Sequence, residues 1–191
     1  MIAIIDYGAG NLFSVKNALD FLEEKSVITA DCEEICCADA MILPGVGAFP
    51  DAMRMLKEQG LAKVIKEEAQ KKPLLGICLG MQMLFEKSYE FGETEGLGLI
   101  PGCVQLIDGN GLKIPHMGWN DLTVLNPCAM TENMSKDAYV YFVHSFRAET
   151  GRRIFPVIRY ITSGSPLWYT GDMYTAPSSI LRKAVLWGWN F

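Results

Sequence analysis

Pro73-Leu74-Leu75-Gly76-Ile77-Cys78-Leu79-Gly80-Met81-Gln82-Met83-Leu84-Phe85-Glu86 is the stretch that decides the fold. The apolar run Pro73–Leu75 predicts a strand, and Met81–Glu86 predicts a helix. Between them a cysteine stands inside Gly76-Ile77-Cys78-Leu79-Gly80. A strand, a sharp turn and a helix with a nucleophile at the turn form a nucleophile elbow, here with Cys in place of Ser. Such a turn holds its central residue in a strained backbone conformation, and the flanking glycines relieve the crowding. The same geometry sets the sulfur at a helix N-terminus, which favours the thiolate. A buried structural cysteine is the commoner fate of a lone Cys. Glycine on both flanks in a strand-to-helix context favours the nucleophile.

Upstream of the elbow the pattern repeats. Ile2-Ala3-Ile4-Ile5 is a buried-strand candidate, followed by the loop Gly8-Ala9-Gly10-Asn11. Leu12, Val15, Leu19 and Leu22 lie at helical spacing within 12–24. Ser26–Ala30 predicts a second strand, and Ala40–Leu43 a third, ended by Pro44-Gly45-Val46-Gly47. Residues 51–72 predict a long amphipathic helix with a break near Gly60. Continuous apolar strands alternating with helices indicate a mostly parallel sheet with helices on both faces, an α/β fold. Downstream of Glu90 the segments shorten: 97–100, 104–107, 122–125 and 139–143. These predict a mixed extension of the sheet. No internal repeat or low-complexity linker divides the chain, so one domain spans 1–191.

The chain has 191 residues, half of them apolar and a fifth charged, with a net charge of -5. This is a globular balance with a sizeable core. No basic stripe is present to neutralise phosphates, which argues against nucleic acid. No apolar run approaches the roughly 20 residues needed to span a bilayer. The N-terminal run Met1–Ile5 lacks a basic flank and is too short for a signal peptide, so a cytoplasmic location is expected. The six cysteines include no Cys-x-x-Cys pair, and His116 and His144 lie in different segments, so no metal site is expected. Reduced thiols are expected, with Cys32, Cys36 and Cys37 as small semi-buried residues.

Two glycine loops bear on chemistry. Gly8-Ala9-Gly10-Asn11 lacks the third glycine of a dinucleotide fingerprint, so cofactor binding is not expected there. Pro44-Gly45-Val46-Gly47 ends a predicted strand on the same sheet edge as Cys78, where open α/β sheets place their sites. Its backbone N–H groups are candidates for an oxyanion hole; the competing reading is a tight turn and nothing more. His144 follows an apolar strand and reads as positional. His116 sits with Trp119 in a Pro- and Gly-bounded turn and reads as contact surface. Neither is a strong general base.

Together these motifs resemble a class I glutamine amidotransferase from Met1 to about Glu149. The resemblance is carried by Pro44–Gly47, by Gly76–Gln82 and by Val143-His144-Ser145-Phe146. Asp6-Tyr7-Gly8-Ala9-Gly10-Asn11 and Pro115-His116-Met117-Gly118-Trp119-Asn120 are similar, within that class, to the glutaminase subunits of imidazole glycerol phosphate synthases. The resemblance implies that Cys78 attacks the side-chain amide of glutamine to form a glutamyl thioester. It assigns Gly45, Val46 and Gly47 to the oxyanion. Gln82, Leu79, His144, Ser145 and Phe146 are assigned to the substrate, and no cofactor is implied. Ammonia then passes to a cyclase subunit with a (β/α)₈ barrel, as a heterodimer in histidine biosynthesis. Asn11, His116, Met117 and Trp119 would face that partner.

One departure is large. A nucleophile of this type needs a His base and an orienting carboxylate. In the family these come from a His-Pro-Glu segment near the C-terminus, and this chain has no His after His144. Residues 151–191 do not resemble the family and are not expected to follow the fold. Residues 175–184 can be encoded ACG GCA CCC AGT TCC ATC CTG AGA AAA GCG. From its third base this reads Gly-Thr-Gln-Phe-His-Pro-Glu-Lys-Ser, the missing segment. Pro166–Tyr174 can likewise be re-read as Ala-Val-Val-Tyr-Arg-Gly-His-Val. The tail therefore reads as the product of a frame slip near Thr150–Arg153, and the chain as written as catalytically defective. Two alternatives stand beside this reading: a glutaminase component of another synthase, such as that for anthranilate, and a non-catalytic partner-binding protein that kept the scaffold.

Overall fold

The computed structural model describes residues 1–109, 111, 113–121, 123–124, 135, 139–149, 157–162 and 165–170. Four parallel strands form the sheet that carries the elbow: β1 (Ile2–Ile5), β2 (Ser26–Thr29), β3 (Ala40–Gly45) and β4 (Leu74–Cys78), in the order β2-β1-β3-β4. Alternate residues feed two cores. Ala3, Ile5, Met41 and Leu43 pack with Ile35, Ala52, Met53, Leu56, Leu61 and Ile65. These come from α2 (Cys32–Cys37), α3 (Phe49–Glu58) and α4 (Leu61–Glu68). Ile2, Ile4, Ala40 and Ile42 pack instead with Leu19, Leu12 and Val15 of α1 (Leu12–Phe21). Both sheet faces thus bury apolar residues, as parallel sheets require. The expected break at Gly60 separates α3 from α4, with Gly60 left-handed at φ 73°.

α2 was not anticipated, although Asp31 caps it by accepting from the Glu33 and Glu34 N–H groups. It corrects the expectation for its cysteines. Only Ile35 of α2 is buried, and Cys32, Cys36 and Cys37 point outward and are exposed.

Beyond the elbow, α5 is a single turn (Leu79–Gln82), and the helix predicted through Glu86 stops there. Phe85–Ser88 is a strand, β5, pairing antiparallel with β6 (Thr94–Glu95) and parallel with β7 (Ile100–Leu106). Pairing on both sides overrides the local helical pattern. Leu97 lies ahead of the strand that was expected to begin there. The strands expected to extend the parallel sheet instead form sheets of their own, because none of them pairs with β1–β4 among the described residues; they include β8 (His116–Asp121), β9 (Thr123–Val124), β10 (Tyr139–His144) and β11 (Phe146–Glu149). β8 and β10 form an antiparallel ribbon, and β11 adds antiparallel to β7. Leu122 and Leu125 of the predicted 122–125 strand lie outside the described residues.

Within the tail, β12 (Val157–Thr162) and β13 (Ser165–Thr170) pair antiparallel, and β12 also pairs with β9. The expectation for 151–191 did not include these strands. Their β-branched and aromatic residues suit extended backbone. The inferred slip region, 150–153, and residues 175–184 lie outside the described residues.

Candidate active site

Cys78 closes β4 with φ 57° and ψ -119°, a conformation that L side chains rarely adopt. This is the strain that the elbow sequence predicts. The glycines around it are fixed by contact. A Cβ on Gly76 would stand 2.4 Å from the Met81 Cα, and one on Gly80 would stand 1.8 Å from the Leu43 carbonyl oxygen. Gly45 is bound in the same way, 2.5 Å from the Gly80 nitrogen. α5 can lie this close to β3 and β4 only because three side chains are missing.

β3 and β4 pair in register with Gly45 opposite Cys78. The Pro44–Gly47 loop therefore begins beside the sulfur, on the carboxyl edge of the sheet. Val46 is exposed, and Gly47 is left-handed at φ 91° as the chain enters α3. Ala48 gives α3 no side-chain cap. The Glu90 carboxylate fills that role, accepting from the Phe49 N–H at 2.8 Å. Glu90 lies 41 residues away in sequence, so no local pattern announces it.

Gln82 reaches toward the other predicted segment: its Nε2 donates to the Phe146 carbonyl at 3.3 Å. His144 Nδ1 lies 3.0 Å from the same oxygen, so the ring donates through Nδ1. Burial above all, and the neighbouring His116 to a lesser degree, lower its pKa, while the bond to Phe146 opposes them. The shift favours the neutral ring, whose Nε2 is buried with no hydrogen-bond partner among the described residues. The structure thus brings Cys78, Gly45, Val46, Gly47, Leu79, Gln82, His144, Ser145 and Phe146 to one end of the fold. Leu79 is buried, which leaves its backbone as the part that can face a substrate.

The four residues assigned to a partner divide. Met117 and Trp119 are 60% and 47% exposed. Trp119 meets Tyr141 edge-on, with ring centroids 5.5 Å apart. His116 lies on the opposite face of the ribbon, against Phe142 and His144 at 5.6 Å. Asn11 is spent locally, capping α1 by accepting from the Ser14 N–H at 3.3 Å.

The thiol itself departs from expectation. Cys78 is exposed as a residue, yet desolvation of its sulfur raises its pKa, and a backbone hydrogen bond from Leu79 lowers it by less. Among the described residues no group of His, Cys, Asp and Glu is arranged to hold a metal ion. No helix there is long and apolar enough to cross a membrane.

A family profile described as glutamine amidotransferase class-I matches residues 3–163, past the boundary expected near residue 150. Curated relatives named imidazole glycerol phosphate synthase subunit HisH are similar to the chain. The one from Oceanobacillus iheyensis is 53% identical over 76% of this chain and 73% of its own length. The one from Caldanaerobacter subterraneus subsp. tengcongensis is 52% identical over 81% and 76%. The one from Shouchella clausii is 44% identical over all of this chain and 89% of its own. Among solved structures, one described as a glutamine amidotransferase superposes with a TM-score of 0.70 at 16% identity, covering 97% of this chain and 95% of that one. The structure of PurLQS from Thermotoga maritima gives 0.63 at 22% identity over 98% and 95%. At such identities these two speak for the fold.

Proposed function

We propose that this chain, which belongs to the class-I glutamine amidotransferases and within them to the HisH subunits of imidazole glycerol phosphate synthase, is built to release ammonia from glutamine for a cyclase partner in histidine biosynthesis in the cytoplasm. The observation that carries the reading is Cys78 at its strained turn, with Gly45 opposite it in register. The Cys78 thiolate attacks the amide carbon, and the negative charge moves to the carbonyl oxygen. N–H groups of the Gly45–Gly47 loop and of Leu79 are the candidates to receive that charge. Collapse breaks the C–N bond, ammonia leaves with a proton, and a glutamyl thioester remains. Water then attacks the thioester and frees glutamate and the thiol. Gln82 and the His144–Phe146 segment would frame the amino-acid end of the substrate.

The proton steps need a base that this chain does not offer. Its two histidines are His116 and His144. His144 holds its Nδ1 proton toward the Phe146 carbonyl, its Nε2 is buried with no hydrogen-bond partner, and no carboxylate orients its ring among the described residues. The proposal therefore includes a frame slip near Thr150–Arg153 that removed a His-Pro-Glu segment, leaving the written chain defective. A cyclase barrel as heterodimer partner is supported by the ribbon. Met117, Trp119, Tyr139, Tyr141 and Val143 share one face of β8 and β10 by register, and all are exposed. A second reading, a non-catalytic partner-binding subunit, is favoured by the raised thiol pKa together with the missing base.

A glutamine-mimicking alkylator separates the two in the frame-restored protein. Labelling confined to Cys78 is expected. Labelling of Cys32, Cys36 or Cys103 with Cys78 untouched would sink the assignment. In the assembled complex, Cys78→Ala should abolish glutamine-dependent synthesis and spare ammonia-dependent synthesis.

A further inference from the structure

We infer that Gln59, the residue that ends α3, is a positioning residue for the Pro44–Gly47 loop, acting through the Tyr7–Gly10 turn that backs it. The inference rests on the reading of Pro44–Gly47 as the receiver of the oxyanion. It starts from the path of the chain. Pro44–Gly47 runs through Ala48 into α3 at Phe49. At the other end of α3 the Gln59 side chain meets the turn after β1, and its Nε2 donates to the Tyr7 carbonyl at 2.8 Å. α3 therefore lies along the carboxyl edge of the sheet, from the end of β3 to the end of β1.

The turn that Gln59 holds is built on two glycines. Gly8 and Gly10 are left-handed at φ 94° and 116°, and the Gly8 N–H donates to the Asp6 carboxylate at 3.0 Å. A Cβ on Gly8 would stand 2.7 Å from Met55 Cε, so the turn is seated on the last turn of α3. A Cβ on Gly10 would stand 3.3 Å from the Pro44 Cβ and 3.5 Å from the Pro44 carbonyl carbon. Gly10 thus backs onto the first residue of the oxyanion loop. The contacts close a circuit: Pro44–Gly47 to α3, α3 to Tyr7 through Gln59, and Gly10 back to Pro44.

The loop needs this support. An oxyanion site works only when its donors are in place before charge develops. Gly45 is wedged against the Gly80 nitrogen, but Val46 is exposed, and a Cβ on Gly47 would meet no atom within 4 Å among the described residues. The second half of the loop has no wall of its own. It is held from its two ends, Pro44 and α3, and both rest on the Tyr7–Gly10 turn. Gln59 itself is exposed, so no core packing depends on it. Holding such a side chain on one carbonyl costs rotamer freedom. What it secures is the carbonyl of a buried residue, a group that folded proteins keep paired.

The test uses the 191-residue chain with Gln59→Met, which keeps the length of the side chain without its donor, and Gln59→Lys, which restores a donor. Hydrogen exchange read by mass spectrometry comes first. In Gln59→Met, amides of 7–11 and of 45–49 should both exchange about fivefold faster, with 26–30 unchanged. The second readout is uptake of the aldehyde analogue of glutamine, L-glutamate γ-semialdehyde, measured as protection of Cys78 from iodoacetamide. The thiol adds across the aldehyde, sulfur bonding to carbon and the proton passing to oxygen, which sets that oxygen where the oxyanion forms. Its apparent Kd should rise about fivefold in Gln59→Met and recover in Gln59→Lys, while labelling of Cys78 without aldehyde keeps its rate. Faster exchange at 7–11 alone would overturn the inference, as would one aldehyde affinity shared by all three proteins. So would faster exchange throughout the chain, because Gln59 would then be merely structural. If the unaltered chain takes up no aldehyde, that counts against the proposed function, and the exchange at 45–49 still decides whether Gln59 holds the loop.

Discussion

The elbow and the β8–β10 ribbon solve opposite problems. Around Cys78 the backbone is wedged: Gly45, Gly76 and Gly80 each stand where any Cβ would come within 2.5 Å of another strand or helix. On the ribbon the outer face is open, and Met117, Trp119, Tyr139, Tyr141 and Val143 spend large apolar surface on solvent. A site that must hold one atom in a strained conformation is fixed from all sides, because strain persists only where the surroundings over-determine it. A surface proposed to meet another protein is left open on one side, as an exposed apolar patch of that kind is. The proposed chemistry and the proposed partnership thus rest on different physical features of one chain.

The largest effect that would test this contrast lies in the missing base. The 191-residue chain should show negligible glutamine hydrolysis even with a cyclase partner. Restoring the frame near residues 150–153 should raise the rate by about three orders of magnitude or more, as gain of a triad does. Ammonia release measured on both proteins decides it. Brisk turnover by the written chain would transfer the base role to His144 and remove the reason for the slip.

Next in size is the wedge itself. Gly80→Ala puts a Cβ 1.8 Å from the Leu43 carbonyl oxygen, and a backbone atom of a central strand cannot swing away. Urea unfolding should show a loss of about 3 kcal/mol or more, at the upper end of overpacking costs. Loss well below 1 kcal/mol would mean that α5 shifts freely, and the elbow would not be over-determined after all.

These two regions also differ in how readable they were. The parallel half follows from apolar periodicity and punctuation, and Gly76-x-Cys78-x-Gly80 announces both the strand-to-helix turn and its close contacts. α2 was missed because Ile35 alone carries its buried face, too short a pattern for periodicity, although Asp31 with Glu33 and Glu34 was a usable cap signal. β5 was missed because its partners, Thr94–Glu95 and Ile100–Leu106, are supplied by tertiary pairing rather than local pattern. The thiolate expectation met desolvation of the sulfur, a product of packing around the turn that sequence spacing does not reveal. Glu90 at the start of α3 and Gln59 at its end likewise act through long-range contacts. In the ribbon, strand alternation within the Pro115–Asn120 segment separates His116, facing inward, from the exposed Met117 and Trp119.

Trp119→Ala is the third test and the sharpest on the ribbon. With Trp119 47% exposed, the isolated chain should lose less than about 1 kcal/mol, while affinity for the cyclase should fall by about 2 kcal/mol, as for a central aromatic anchor. Calorimetric titration against the partner and thermal melting of the free subunit separate the two quantities. A loss of about 3–5 kcal/mol in the free subunit would make Trp119 core instead, and the ribbon would then resemble the elbow.

The smallest effect concerns the opposite side of the parallel half, where a charge does the fixing. Glu68 is buried at the end of α4, and its carboxylate pairs with Lys71 and Lys72 at 2.7 Å each. Lys72 Nζ also donates to the Ile35 and Cys36 carbonyls at 3.0 and 2.7 Å, tying α4 to the end of α2. Hydrogen bonds from Lys71 and then Lys72 hold the Glu68 carboxyl down at about 2. The folded pKa lies below the unfolded value, so this stabilisation is fully present above the ordinary carboxylate range and drains away as pH falls toward 2. Urea unfolding between pH 6 and pH 2 should therefore show stability falling with a slope that includes nearly one proton from this site. Glu68→Gln should be less stable at pH 6 and should flatten that slope, and the two proteins should converge near pH 2. Parallel curves for the two would mean that the paired lysines screen rather than fix, and that α2 is held by Ile35 packing alone.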